Sequence, residues 1–125
     1  MGWREKSFDI VTSIDGVDTP IPTHKVDCVK NRVCLEMEWN NKDEFFDRDL
    51  NNFRLLFELN ALSVGIVVTR SDELQQIFNG LGKGGSYGTS STHWTKLIPR
   101  IEGRGSGGCP VLAFGIKQDL YEIDC

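Results

Sequence analysis

Thr23-His24-Lys25-Val26-Asp27-Cys28-Val29-Lys30-Asn31-Arg32-Val33-Cys34-Leu35-Glu36-Met37-Glu38-Trp39 is the stretch from which the rest of the chain is read. Residues 24–29 form a short β-rich run. Residues 33–39 alternate apolar and polar with a period near two, and only Lys30-Asn31-Arg32 separates the runs, so the segment predicts two strands joined by a tight hairpin. Side chains alternate along a strand, which places Glu36 and Glu38 on one face about 7 Å apart. The hairpin brings Asp27 to the same side.

Upstream, residues 7–12 read as a strand, followed by the turn-formers Asp15-Gly16, Pro20 and Pro22. Downstream, Phe46, Leu50, Phe53, Leu56 and Phe57 recur at spacings of three and four, which predicts an amphipathic helix from Phe45 to Leu59. Residues 62–69 are a nearly continuous β-branched run, expected to be a central strand covered on both faces. Ser71 is placed to cap a short helix through Phe78, ended by Asn79-Gly80. Residues 80–91 hold five glycines and four Ser or Thr residues and read as an exposed loop. A helix is expected from Thr92 to Ile101 despite Pro99 within it, then a flexible connection over 103–108, then a buried strand from Val111 to Ile116 and an acidic tail. The order predicts an α/β fold with a mixed sheet flanked by helices, in one domain over 1–125.

The chain has 125 residues, 39% hydrophobic and 26% charged, enough for one hydrophobic core. No apolar run approaches the roughly 20 residues of a membrane span. No apolar signal region opens the sequence, which makes the cytoplasm the expected location. Cys28, Cys34, Cys109 and Cys125 show no paired C-x-x-C knuckle, so reduced, mostly buried thiols are expected rather than a zinc site. The net charge of −4 argues against indiscriminate polyanion binding. The charge is segregated, however: acids concentrate in 36–58 and at the C-terminal end, while 83–104 holds Lys83, Lys96, Arg100 and Arg104 against Glu102 alone.

Three carboxylates on one face repel one another unless protons or cations neutralise them. Magnesium takes oxygen ligands from one or two carboxylates plus phosphate and water, a role open to Asp27 and Glu36. Glu38 is then placed to hold or deprotonate the attacking water. The plainer alternative is a solvated hairpin face whose acids pair with Lys25, Lys30 or Lys42.

The runs Thr23–Asp27, Val29–Val33, Leu35–Asp43 and Phe45–Arg54 resemble the BglII/BstYI family of type II restriction endonucleases, as do Thr92-His93 with Lys96-Leu97 and Gly107–Leu112 with Gly115-Ile116. The similarity spans about residues 23–116. It implies the PD-(D/E)XK nuclease fold and a homodimer cutting both strands of double-stranded DNA at a site with a GATC core. On the same resemblance Asp27 and Glu36 are ligands of Mg2+, and Asp27, Glu36 and Glu38 form the catalytic set. Glu38 stands where many members of the wider fold keep a lysine, and Val26 where many keep a proline. The family's longer N-terminal region with helices is not seen ahead of the first strand.

Asn40, Asn41 and Lys42 follow the catalytic strand and suit base or phosphate contacts, or equally turn and cap chemistry. Ser91, Thr92, His93, Lys96 and Arg100 are candidates for a phosphate-facing helix start, or an ordinary capped helix. His24 is expected to be a packed, hydrogen-bonded histidine outside the catalytic set, and Trp39 and Trp94 to be core or rim aromatics. Two other functions are weighed. One is a DNA-binding module that keeps the fold without catalysis or dimerisation. The other is a two-carboxylate glycosidase, disfavoured by the small number of Trp and Tyr residues. Gly82–Gly88 lacks the Gly-Lys-Ser/Thr ending of a phosphate-binding loop.

Overall fold

A computed structural model gives the fold and describes residues 2–39, 41–74 and 92–117. Its main sheet has five strands in the order β1 (Arg4–Lys6), β4 (Val26–Lys30), β5 (Val33–Glu38), β6 (Val64–Arg70), β7 (Val111–Ile116). β1, β4 and β5 pair antiparallel, whereas β5, β6 and β7 run parallel, so the sheet is mixed as the sequence implied. A separate antiparallel ribbon joins β2 (Ile10–Ile14) to β3 (Val17–Ile21). Helix α1 (Glu44–Glu58) connects β5 to β6, and α2 (Trp94–Glu102) precedes β7.

The β4–β5 hairpin closes with Lys30 opposite Val33. Asn31 and Arg32 both take positive φ, 49° and 66°, the mirror-image turn whose twist matches the flanking strands. Across the sheet, α1 lays Phe46, Leu50, Phe53 and Leu56 against Val26, Cys34 and Val67, all fully buried. This is the helical stripe expected from spacing.

One close approach in this core is decided by the absence of a side chain. A Cβ added at Gly65 of β6 would overlap the ring of Phe53. Gly65→Val is expected to destabilise the domain by about 1–3 kcal/mol through overpacking, read as a lower midpoint of urea unfolding. An unchanged midpoint would show that α1 does not press on β6 as described.

Several expectations change. The strand expected at 7–12 begins at Ile10 and pairs with β3 through the Asp15-Gly16 turn, while β1 and β3 carried too little pattern to be read. β6 lies inside the sheet between β5 and β7, the interior place expected of it. Val67 and Thr69 of β6 are buried, but its other face is half-buried. β7 is an edge strand with Leu112 and Phe114 exposed, not a buried one. Residues 103–108 are a succession of hydrogen-bonded turns, Gly103 N–H to Pro99 O, Gly105 N–H to Arg100 O and Gly107 N–H to Arg104 O, rather than a loose connection. Pro99 does sit inside α2, three residues before its end. The helix expected at 71–78 and the loop at 80–91 lie largely outside the described residues, as do Asn40 and Ser91. Cys28, Cys34 and Cys109 are free thiols, the last two buried, and burial pushes the Cys34 thiol up to about 12.

Candidate active site

The pleat of β5 is inverted with respect to its hydrophobicity. Met37 points to solvent, while Cys34, Glu36 and Glu38 face the side covered by α1, with Glu36 and Glu38 only 1% and 2% exposed. The solvated-face alternative is thereby overturned, and Lys25 pairs with Glu5 instead. Carboxyl groups buried this deeply must be compensated, and the compensation comes from three directions.

His24, in the approach to β4, places Nε2 2.8 Å from Glu36 Oε1 and 3.2 Å from Asp49 Oδ1. Arg48, at the start of α1, places Nη2 3.4 Å from Glu38 Oε1 and 3.3 Å from Asp49 Oδ1. Asn41 donates from Nδ2 to Glu38 Oε2 at 2.5 Å. The Asn41 loop is itself held by Thr92, whose N–H donates to Asn41 O at 2.8 Å and whose Oγ1 accepts from Asn41 N–H at 3.2 Å.

Asp27 sits where the two hairpin strands part. The ladder between β4 and β5 ends at Cys28 and Leu35, and beyond it Asp27 Oδ2 accepts the Met37 N–H at 3.0 Å. Its exposed carboxylate lies close enough to help hold the Glu36 carboxyl in its protonated form. Asp27 therefore meets Glu36, and Glu38 meets Asp49, a fourth acid that also lies beside Glu36.

The electrostatics follow from this crowding. Burial pushes the Glu36 carboxyl up to about 7, with the neighbouring Asp49 and Asp27 adding to the rise and the His24 bond opposing it. Burial pushes Glu38 up to about 8, with Asp49 beside it raising it further and Asn41 and Arg48 opposing. Bonds to Asp49 and Glu36 raise His24 to about 9 against its own desolvation. The cluster holds more protons near neutrality than the same residues do in water, so it has an unmet demand for positive charge.

Two of its members escaped the sequence reading. His24 was assigned to packing, and Asp49 was not singled out. Asp49 carries a signal in retrospect: it falls between Phe46 and Phe53 on the apolar stripe of α1, where a charge is out of place.

The residues expected to meet DNA divide into two groups. Thr92 is fully buried and Arg100 is tied to Asp47 at 2.9 Å and Asp43 at 3.3 Å, so both brace α1 against α2 and the Asn41 loop. His93 is largely covered and stands 3.7 Å from Asp72, which also bonds Thr95 N–H and Oγ1 at the start of α2. Asn41 and Lys42 are exposed, and Lys96 is half-buried. The most voluminous concavity described, about 510 Å³, is lined by Gly2, Trp3, Arg4 and Ala61 and lies away from the acids. A smaller one of about 270 Å³ opens beside His24 and Arg48.

An acid cluster at a strand fork, with a helix supplying a further carboxylate, is the arrangement a phosphodiester-cleaving site needs. The model of the family described as restriction endonuclease BglII/BglIII matches residues 1–116. The chain belongs to that family. It is accordingly a type II site-specific deoxyribonuclease, a restriction enzyme whose substrate is DNA. Searches of curated proteins and of solved structures returned no match. Membership extends the earlier resemblance to the first strand, and it suggests a divalent metal cofactor for a cluster that already lacks positive charge. None of the described helices is long and apolar enough to cross a membrane.

Proposed function

We propose that the chain is a magnesium-dependent endonuclease that hydrolyses double-stranded DNA at a short site with a GATC core, acting as a homodimer, with Asp27, Glu36 and Glu38 as its catalytic residues. The observation that carries this reading is the inward-facing pair Glu36 and Glu38, with Asp27 held beside Glu36 by its bond from the Met37 amide. The donor set suits a hard ion: it is rich in carboxylate oxygens, and Asp49 Oδ2 is buried without a hydrogen bond.

Asp27 and Glu36 would hold Mg2+, which when bound supplies Lewis acidity to the scissile phosphate and acidifies water. The chain's own groups do the rest. Glu38, in its ionised form, takes the proton of the water whose oxygen forms the new bond to phosphorus. The phosphorus–oxygen ester bond on the opposite side breaks, and the leaving oxygen acquires a proton from solvent. Asn41 and Arg48 fix the orientation of Glu38. Lys42 and Lys96 offer charge to the backbone phosphates. Asn40, Asn41, Ser91 and His93 are the further candidates for contact with DNA; Thr92 braces Asn41, and Arg100 braces the start of α1 through Asp47.

The test is incubation of a mixed-sequence plasmid with Mg2+, sequencing of the fragment ends, and a gel-shift in Ca2+. Fragments sharing one terminal sequence are expected in Mg2+, with retarded but uncut DNA in Ca2+. A shift in Ca2+ with no cutting in Mg2+ would replace this reading by that of a binding module.

A further inference from the structure

We propose that His24, Glu36 and Asp49 form a site for a divalent transition-metal ion such as Mn2+ or Co2+, with Glu36 shared between it and the magnesium position of Asp27 and Glu36. In sharing Glu36 it rests on the reading above, but its other two ligands, its ion preference and its location against α1 are distinct.

The geometry is that of a ligand set. One donor atom from each of the three residues lies within 4.8 Å of the others, and Asp27 is not part of the group. Two donors at right angles around an ion about 2.1 Å away stand roughly 3 Å apart. Nε2 of His24 stands 2.8 Å and 3.2 Å from its two carboxylate oxygens. The three residues come from three separate pieces of backbone, the approach to β4, β5 and α1, so their convergence is a product of the fold. Glu36 and Asp49 are buried and His24 is largely so.

Asp49 supplies an independent pointer. Its side chain is fully buried on the packing face of α1, and once the neighbouring Glu38 carboxyl is ionised its Oδ2 has no hydrogen-bond donor. An orphaned anionic oxygen in a helix–sheet interface is costly, and a bound cation removes the cost. Arg48 meets only Oδ1, and its half-exposed side chain is also held by Glu38 and by the Phe45 ring, so its charge lies to one side of the three donors. The mixed donor set decides which ion: the imidazole suits Co2+ or Zn2+ and the two carboxylates suit Mn2+, whereas Mg2+ prefers oxygen and water alone.

The full chain, stripped of metal, is titrated with Co2+ and followed by visible absorption and by paramagnetically shifted imidazole proton resonances, with Mn2+ binding followed by loss of the free-ion electron paramagnetic signal. Wild type is expected to show a shifted imidazole resonance that His24→Ala abolishes and His93→Ala leaves in place. Asp49→Asn is expected to weaken Mn2+ at least tenfold, and Asp27→Asn to leave the His24 resonance shifted by Co2+. Near-ultraviolet circular dichroism checks that each variant is folded, and Asp49→Glu, which restores the charge, is expected to recover part of the Mn2+ affinity. An unshifted imidazole in wild type, or Mn2+ affinity lost in Asp27→Asn but kept in Asp49→Asn, overturns the proposal and leaves the magnesium reading standing. Ion binding through His24 and Asp49 in a protein that cuts no DNA supports the site while the nuclease mechanism falls.

Discussion

Glu36→Ala is expected to lower magnesium-dependent cleavage by at least about a thousandfold while the domain remains folded. Lewis-acid and positioning effects of a bound ion amount to several kcal/mol of transition-state stabilisation, and each 1.36 kcal/mol is a factor of ten in rate. Glu36 touches His24 directly and lies beside both Asp27 and Asp49, so it links the hairpin acid to the helix acid. The fold should survive because Glu36 is a buried acid in an acid-rich setting, and removing it relieves repulsion at the same time as it leaves a small void. His24 keeps Asp49 as its partner. Single-turnover cleavage of a plasmid, run beside urea unfolding, gives both numbers. Wild-type cutting by the folded variant would refute the catalytic assignment.

The second large effect is on stability as a function of pH. Glu36 and Glu38 rise from about 4.5 to about 7 and 8 on folding, and His24 from about 6.5 to about 9. In all three the folded state binds protons more tightly than the unfolded chain. The stabilisation they give is thus fully present below the unfolded value and disappears as pH climbs through the folded one. For the acids that window is pH 4.5 to 7 or 8, and for His24 it is 6.5 to 9. The metal-free domain is expected to lose thermal stability steadily between pH 5 and pH 9, the opposite of the usual behaviour of paired carboxylates. A divalent ion competes with those protons, so its apparent affinity should rise by up to about tenfold per pH unit for each proton displaced between pH 5.5 and 7. Thermal melts across this range with chelator or with Mn2+ test both halves. A midpoint that climbs with pH in chelator would show that the acids are not held as described.

The comparison of sequence with structure turns on which signals are local. The hairpin at Asn31-Arg32, the alternation of β5 and the stripe of α1 are properties of neighbouring residues, and they were legible. So was the meeting of Asp27 with Glu36, because strand geometry leaves little choice once the hairpin is accepted. The direction of the β5 pleat was less legible. Leu35 and Met37 would ordinarily point inward, and the fold instead buries Glu36 and Glu38, since what compensates them is tertiary: His24, Arg48 and Asn41. Asp49 was hidden among Asp43, Glu44 and Asp47, and helical phase alone sets it apart. Arg100 looked like a free basic residue because its partners lie more than fifty positions earlier.

All the cluster's side chains, from His24 to Asp49, belong to one hairpin and the helix that follows it, whereas β7 reaches its place by pairing Val111 with Gly65 more than forty positions away. Closing the short loops of a hairpin and an adjacent helix costs little chain entropy and is fast, while parallel pairing across a long connection is slow. The acid cluster is therefore a product of the quickly formed half of the molecule. An ion captured there would bias the collapsing chain toward its native register before the last strand has docked.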